Sequence, residues 1–216
     1  MKRLPVYIIL IITVSFVTGC GLFGSRNSIG QTHFPLTPGS TWTYAVYDST
    51  SPPNLDTLRV SILQTDTTSG QIQSLWEFKF MNHTDTITVV SSGGTLHFAF
   101  PQGFSVGPQG FLSTIIKFPL EVGKKWSDAD SRYEVVSKDT VSWSGGTFNE
   151  SYQAIQKFSV NWSRGTSGGT ITYWIEPNIG LVKAHYHETF GGYTPTQDAY
   201  FYRATWMLLS YKVNQM

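Results

Sequence analysis

From residue 42 onward the chain alternates apolar and polar positions with a period of two. Trp42, Tyr44 and Val46 stand against Thr43 and Ala45, and Leu58, Val60 and Ile62 against Arg59 and Ser61. Trp76, Phe78 and Phe80 against Glu77, Lys79 and Met81 form the cleanest case, and Leu96, Phe98 and Phe100 continue the series. Side chains two apart share a face of a strand, so this pattern predicts half-buried β-strands. Further strands are predicted over 133–136, 140–144, 152–163, 170–176, 180–189 and 199–211, at spacings that suit an all-β meander. No run of ten residues beyond the first twenty carries a helical period. The segment 199–211 is apolar on both sides, which predicts either a central strand covered on both faces or an edge used for dimerisation.

Breaks between these runs are glycine-rich. Ser-Gly-Gly-Thr occurs three times, at 92–95, 144–147 and 167–170. Gly-Gly between alternating runs predicts tight hairpins, because type I′ turns need positive φ at both central residues. No lysine or helical pattern follows these glycines, which argues against a phosphate-binding loop. The loop 101–110, with three glycines and two prolines, divides the pattern in two.

A longer phrase is also repeated. Phe34-Pro35-Leu36-Thr37-Pro38-Gly39-Ser40-Thr41-Trp42 returns as Phe118-Pro119-Leu120-Glu121-Val122-Gly123-Lys124-Lys125-Trp126. Proline holds the preceding Phe extended and lacks a donor, so each phrase begins outside a ladder. Gly39 and Gly123 suit the positive-φ position of a type II turn. Leu36 with Trp42, and Leu120 with Trp126, then bury apolar surface on either side of that turn. The predicted fold is therefore all-β, an antiparallel meander forming a sandwich or partly open barrel. It has two related halves, 33–110 and 111–216, within one domain.

The first residues set the compartment. Met1-Lys2-Arg3 is basic, and residues 4–17 carry no charge, a length that suits a signal peptide and falls short of a membrane span. Val17-Thr18-Gly19-Cys20 closes the run and resembles the lipobox of bacterial lipoproteins. That resemblance implies cleavage after residue 19, diacylglycerol on the Cys20 sulfur and an acylated N-terminus. Cys20 is the sole cysteine, so no intramolecular disulfide can form. Gly21 is not the aspartate that favours inner-membrane retention in enterobacterial lipoproteins, so the expected site is the outer membrane, facing the periplasm. Residues 20–32 read as a lipidated cysteine and polar tether.

Composition narrows the chemistry. Charged residues make up 13% of the chain against 15% aromatics, and cleavage removes two of its 15 basic residues and none of its 14 acids. No basic block is left to grip phosphodiesters, so nucleic acid is excluded as a partner. His185 and His187 share one strand face, but Lys183 beside them opposes a cation and a third ligand is missing. Asp128 and Asp130 could hold calcium, yet two acids in a turn are ordinarily solvated. Glu121, Glu134, Glu150, Glu176 and Glu188 are isolated, so no carboxylate pair stands out. The expectation is a protein without catalytic residues, metal or cofactor, apart from the lipid on Cys20. The aromatics are read first as core, with a lipid groove or a glycan platform as alternatives.

Residues 118–190 are similar to a family of uncharacterised bacterial secreted and lipoprotein β-domains. The similarity rests on the second phrase, on Gly146-Thr147-Phe148, and on the stretch from Tyr173 to Gly180-Leu181-Val182-Lys183. Many such proteins carry a cysteine soon after Gly-Thr-Phe; here Asn149-Glu150-Ser151 follows. The resemblance implies an antiparallel β-fold in the cell envelope and brings no activity. In size, anchoring and aromatic content the chain is also similar to curved lipoprotein carriers of the LolB type, without their plugging helices. Three functions follow: a binding or scaffolding domain for envelope partners, a carrier of a hydrophobic ligand, or a surface glycan binder.

Overall fold

A computed structural model describes residues 34–48, 55–80, 83–100, 113–162, 165–192 and 200–214. Twelve strands and no helix occur among them. The first six are β1 (Thr41–Asp48), β2 (Leu55–Thr68), β3 (Gln71–Phe80), β4 (His83–Ser92), β5 (Thr95–Ala99) and β6 (Ser113–Lys117). The second six are β7 (Lys125–Ser127), β8 (Ser131–Trp143), β9 (Gly146–Trp162), β10 (Gly165–Glu176), β11 (Gly180–Gly192) and β12 (Tyr200–Lys212). All pairings are antiparallel, in the order β6-β5-β4-β3-β2-β1-β12-β11-β10-β9-β8-β7. Chain order therefore runs once around a nearly closed barrel, and the ladder is missing only between β6 and β7. Those two strands have five and three residues, too few for a long ladder.

The second half repeats the first in register. Thr37 to Ser40 and Glu121 to Lys124 are turns in which the fourth N–H donates to the first carbonyl, at 3.2 and 3.0 Å. Gly39 and Gly123 take the third position at φ 79° and 88°, where an L side chain is strained. Gly39 N–H donates to Ile62 O on β2, and Ile62 N–H returns to Ser40 O; Gly123, Val135 on β8 and Lys124 repeat this exchange. One residue further on, each strand bulges, at Leu63 and at Val136. A bulge turns the extra side chain out of phase, and both Leu63 and Val136 are exposed. The copies differ at the proline, since the Phe118–Pro119 peptide is cis.

Inward positions build the core. Eight strands suffice for side chains to fill a barrel, and sixteen leave a channel, so twelve need bulk. The aromatic content supplies it. Trp42, Trp76, Phe78, Phe98, Tyr173, Tyr186 and Trp206 are all buried inside. Trp42 and Trp76 stack at 5.3 Å and 8°, and Phe34 packs beside Trp76 and Phe98. At the turn end, the Trp143 indole on the β8–β9 hairpin donates to Leu208 O of β12, at 2.7 Å. Its ring packs on Phe148, so the hairpin folds beneath the barrel.

Two of the three Ser-Gly-Gly-Thr segments are hairpins, and the third is not. Gly93 and Gly94 turn β4 into β5 with φ 55° and 75°, and Ser144-Gly145 turns β8 into β9. Gly168 and Gly169 instead lie inside β10. A Cβ on Gly169 would collide with the His187 carbonyl and lie 2.9 Å from the Phe158 ring, so this glycine serves close packing. The separate runs 133–136 and 140–144 are one bulged strand, β8. β12 is central in the sheet, between β1 and β11, although Leu209 and Tyr211 are exposed on it. The loop 101–110 lies outside the described residues.

Candidate functional site

Two places can carry function: the barrel interior, and the seam where the ladder stops. At the seam, side chains stand in for a strand. Ile115 of β6 turns its backbone toward β7 and β8. Its carbonyl accepts from Trp126 Nε1 at 2.8 Å, and its N–H donates to Tyr133 Oη at 3.2 Å. One residue pair inward, Ser113 O accepts from Gln156 Nε2 at 3.2 Å. Trp126 and Tyr133 stack at 5.2 Å and 7°, which aims both groups across the gap. Tyr133 donates its own proton to Asp128 Oδ2 at 2.8 Å, and Asp128 Oδ1 accepts from Ser131 N–H and Asp130 N–H. A free sheet edge invites strand addition; here Ile115, the centre of that edge, is already satisfied.

Behind the seam lies a buried polar cluster. Tyr173 donates to Gln156 Oε1 at 2.7 Å, Thr114 Oγ1 lies 2.9 Å from Tyr173 Oη, and Gln156 Nε2 donates to Ser131 Oγ at 3.0 Å. Burial raises the Tyr173 hydroxyl well above the usual tyrosine range. Burial and then the hydrogen bond to Asp128 do the same for Tyr133, and burial alone for Tyr44. These phenols therefore stay protonated and act as hydrogen-bond links, Tyr133 to the Asp128 carboxylate, Tyr173 to Gln156 and Tyr44 to Leu181 O.

Among the described residues the apolar interior is nearly full. A cavity of about 60 Å3 remains, lined by Trp42, Tyr44, Trp76, Phe98, Ile116 and Trp206 among others. Trp76 Nε1 is buried there without an acceptor among the described residues. Such a donor costs about 1–3 kcal/mol.

Every residue of the repeated phrase reached by the structure is placed at the turn end of the barrel. Phe34, Leu36, Trp42, Phe118, Leu120 and Trp126 are buried; Pro35 is half-buried and Pro119 exposed. Trp42 Nε1 donates to Ile179 O at 2.6 Å, as Trp126 does to Ile115 O. Cys20 lies outside the described residues. His185 and His187 are exposed on the face opposite Val182, Ala184 and Tyr186. His185 packs on Trp174, and Lys183 Nζ lies 4.7 Å over the same ring. Partial burial, and then the Lys183 charge, lower the His185 pKa. Glu150 N–H and Ser151 Oγ donate to Glu176, while Glu134 pairs with Lys125 at 3.1 Å. Among the described residues no three His, Cys, Asp or Glu side chains gather as metal ligands. Sequence reasoning missed Thr114, Gln156 and Tyr133. The signal was present, since Gln156 is a polar residue at an inward position between Ala154 and Phe158.

No family model matches the chain, and no curated protein does. Two crystal structures share its fold. One is a candidate lipoprotein from Parabacteroides distasonis ATCC 8503, with a TM-score of 0.57 at 15% identity. The other is a candidate exported protein with a YmcC-like fold from Bacteroides fragilis NCTC 9343, with a TM-score of 0.55 at 16% identity. Each likeness covers 83% of this chain and 98% of the other. At these identities the fold is what they share, and this chain has the fold of those two proteins.

Proposed function

We propose that this chain is a lipoprotein of the outer membrane, anchored through diacylglycerol on Cys20. Its barrel is a non-enzymatic binding or scaffolding module that works through its outer surface. The observation that carries this reading is the filled interior. A cavity of about 60 Å3 is far below the roughly 300–1,000 Å3 of ligand pockets. It is also below the engineered apolar cavity of about 150 Å3 that admits benzene. A hydrophobic cargo would first have to displace the aromatic core, which argues against the carrier. The glycan reading wants coplanar exposed tryptophans; Trp42, Trp76, Trp126 and Trp206 are buried, and the half-buried Trp143 and Trp174 are engaged separately, with Leu208 O and with His185 and Lys183.

The lipobox at 17–20 and the likeness to a lipoprotein and to an exported protein support an envelope location. Phe34 enters the fold at the turn end, where Asn214 also binds Pro38 O and Ser40 Oγ. The tether therefore joins the barrel at that end. A tether of thirteen residues reaches at most about 45 Å, enough to hold the barrel just off a bilayer.

Fractionation tests the anchor: Cys20→Ser should move the protein from membrane to soluble fractions, and retention on the membrane would overturn it. Native mass spectrometry of the detergent-extracted protein tests the filled interior. The expected mass is that of the lipidated chain alone. One co-purifying apolar molecule per chain would favour the carrier.

A further inference from the structure

The internal repeat carries a second shared feature, on the outside of the barrel. Thr43, Arg59, Lys79 and Thr84 lie directly opposite one another across β1 to β4. Ser127, Arg132, Lys157 and Thr170 do the same across β7 to β10. Both rows occupy one register relative to the repeated phrase. Arg59 and Arg132 each precede the residue paired with the phrase tryptophan, Val60 with Trp42 and Tyr133 with Trp126. All four cations are exposed. Each half therefore presents hydroxyl, guanidinium, ammonium, hydroxyl in a line.

This arrangement runs against stability. Like charges directly opposite on a sheet destabilise it. None of the four cations has a carboxylate within 4 Å among the described residues. Of the nearby acids, Glu134 pairs with Lys125 at 3.1 Å, Asp130 sits in the β7–β8 turn, and Glu77, one diagonal step from Arg59 on the same face, forms no ion pair with it. In the second half an open groove is lined by Ser127, Arg132, Ile155 and Lys157, together with Trp126, Tyr133 and the Lys125–Glu134 ion pair, in which the Glu134 carboxylate is already matched by a cation. Directly opposite side chains start about 5 Å apart, within the span of a single carboxylate or phosphate. The guanidinium fork matches two oxygens of either group, and the flanking hydroxyls can donate to the remainder.

We propose that each row is a binding site for a carboxylate or phosphate group of a soluble ligand, giving two equivalent sites per chain. β2–β3 and β8–β9 lie six strands apart around the barrel, so the rows face opposite sides. One bilayer plane cannot serve both, which favours a soluble anion over a lipid headgroup. The inference gives a ligand class to the outer-surface binding proposed above and rests on that reading. Its test uses neither membrane location nor the state of the interior, so the two can fail separately.

The test is a titration of the detergent-solubilised full chain with citrate and with inorganic pyrophosphate, followed by NMR of the arginine Nε–Hε groups. Arg59 and Arg132 should shift saturably, with two anions bound, and Arg203 should not. Lys157→Gln should weaken binding at that row, read at Arg132 Nε–Hε, about tenfold or more and leave the Arg59 response intact. Without anion, this variant should melt no lower than the parent, because a repulsion has been removed. A lower melting temperature with unchanged anion response would show a structural role and overturn the proposal. So would linear, unsaturated shifts at all three arginines, or no shift at all. Binding to phosphatidylglycerol vesicles but to neither soluble anion would overturn the assignment to a soluble ligand.

Discussion

Replacing Tyr133 with Phe removes one oxygen from the seam and little else. The ring still stacks on Trp126, and the rotamer need not change. Two hydrogen bonds disappear, the one received from Ile115 N–H and the one given to Asp128. Each contributes about 0.5–1.5 kcal/mol net, and the orphaned Ile115 N–H adds to the loss. The expected destabilisation is about 2–3 kcal/mol, or a melting temperature lower by roughly 4–12 °C for a domain of this size. The distribution of the loss matters more than its size. Ile115 has no ladder partner toward β7, so β6 should open locally, and native-state hydrogen exchange reads this directly. In Tyr133→Phe the Ile115 amide should exchange about tenfold or more faster, beyond the change in global stability. Tyr44→Phe is the control, because it removes a buried phenol bonded to Leu181 O at 2.9 Å from a strand laddered on both sides. That variant should lose global stability without a selective effect on β6. Equal exchange at Ile115 in both variants would refute the idea that side chains hold the seam.

Two further outcomes follow from the geometry. Gly39→Ala and Gly123→Ala place a Cβ at φ 79° and 88°, costing about 1–2 kcal/mol each by chemical denaturation. Gly39→Ala should cost more, because its Cβ would lie 2.7 Å from Asn214 Nδ2, whereas Gly123 meets nothing within 4 Å. Alkaline pH should unfold the barrel. Tyr44, Tyr133 and Tyr173 have pKa values raised in the fold, so their contribution is complete below about pH 10, the unfolded value. It is lost as pH rises further, since only the unfolded chain ionises readily. A stability curve flat to pH 12 would contradict this, and Tyr173→Phe should flatten it in part.

Much of the fold was legible in the residues. Period-two alternation located the strands because one face of each is buried and the other wet. Pro-Gly and Val-Gly in the repeated phrase gave the turns, since only glycine takes positive φ without strain. Gly168-Gly169 misled, because glycine within a strand and glycine in a hairpin look alike until a neighbour such as Phe158 is seen to need the room. Sandwich and barrel could not be separated, because closure depends on long-range curvature and on the short strands β6 and β7. The seam was hidden for the same reason: Trp126, Tyr133 and Gln156 meet β6 only after the sheet has curled. The paired cation rows needed the register between strands, which no single run of sequence contains.

The central claim is that the barrel interior is full and that binding belongs to the outer surface. Titrating the detergent-extracted protein with a fluorescent fatty-acid analogue, while following quenching of the buried tryptophans, tests it most directly. The account predicts no saturable binding and no selective loss of Trp76 or Trp206 emission in single-tryptophan variants. Saturable binding of one analogue per chain, with quenching of those two rings, would contradict it.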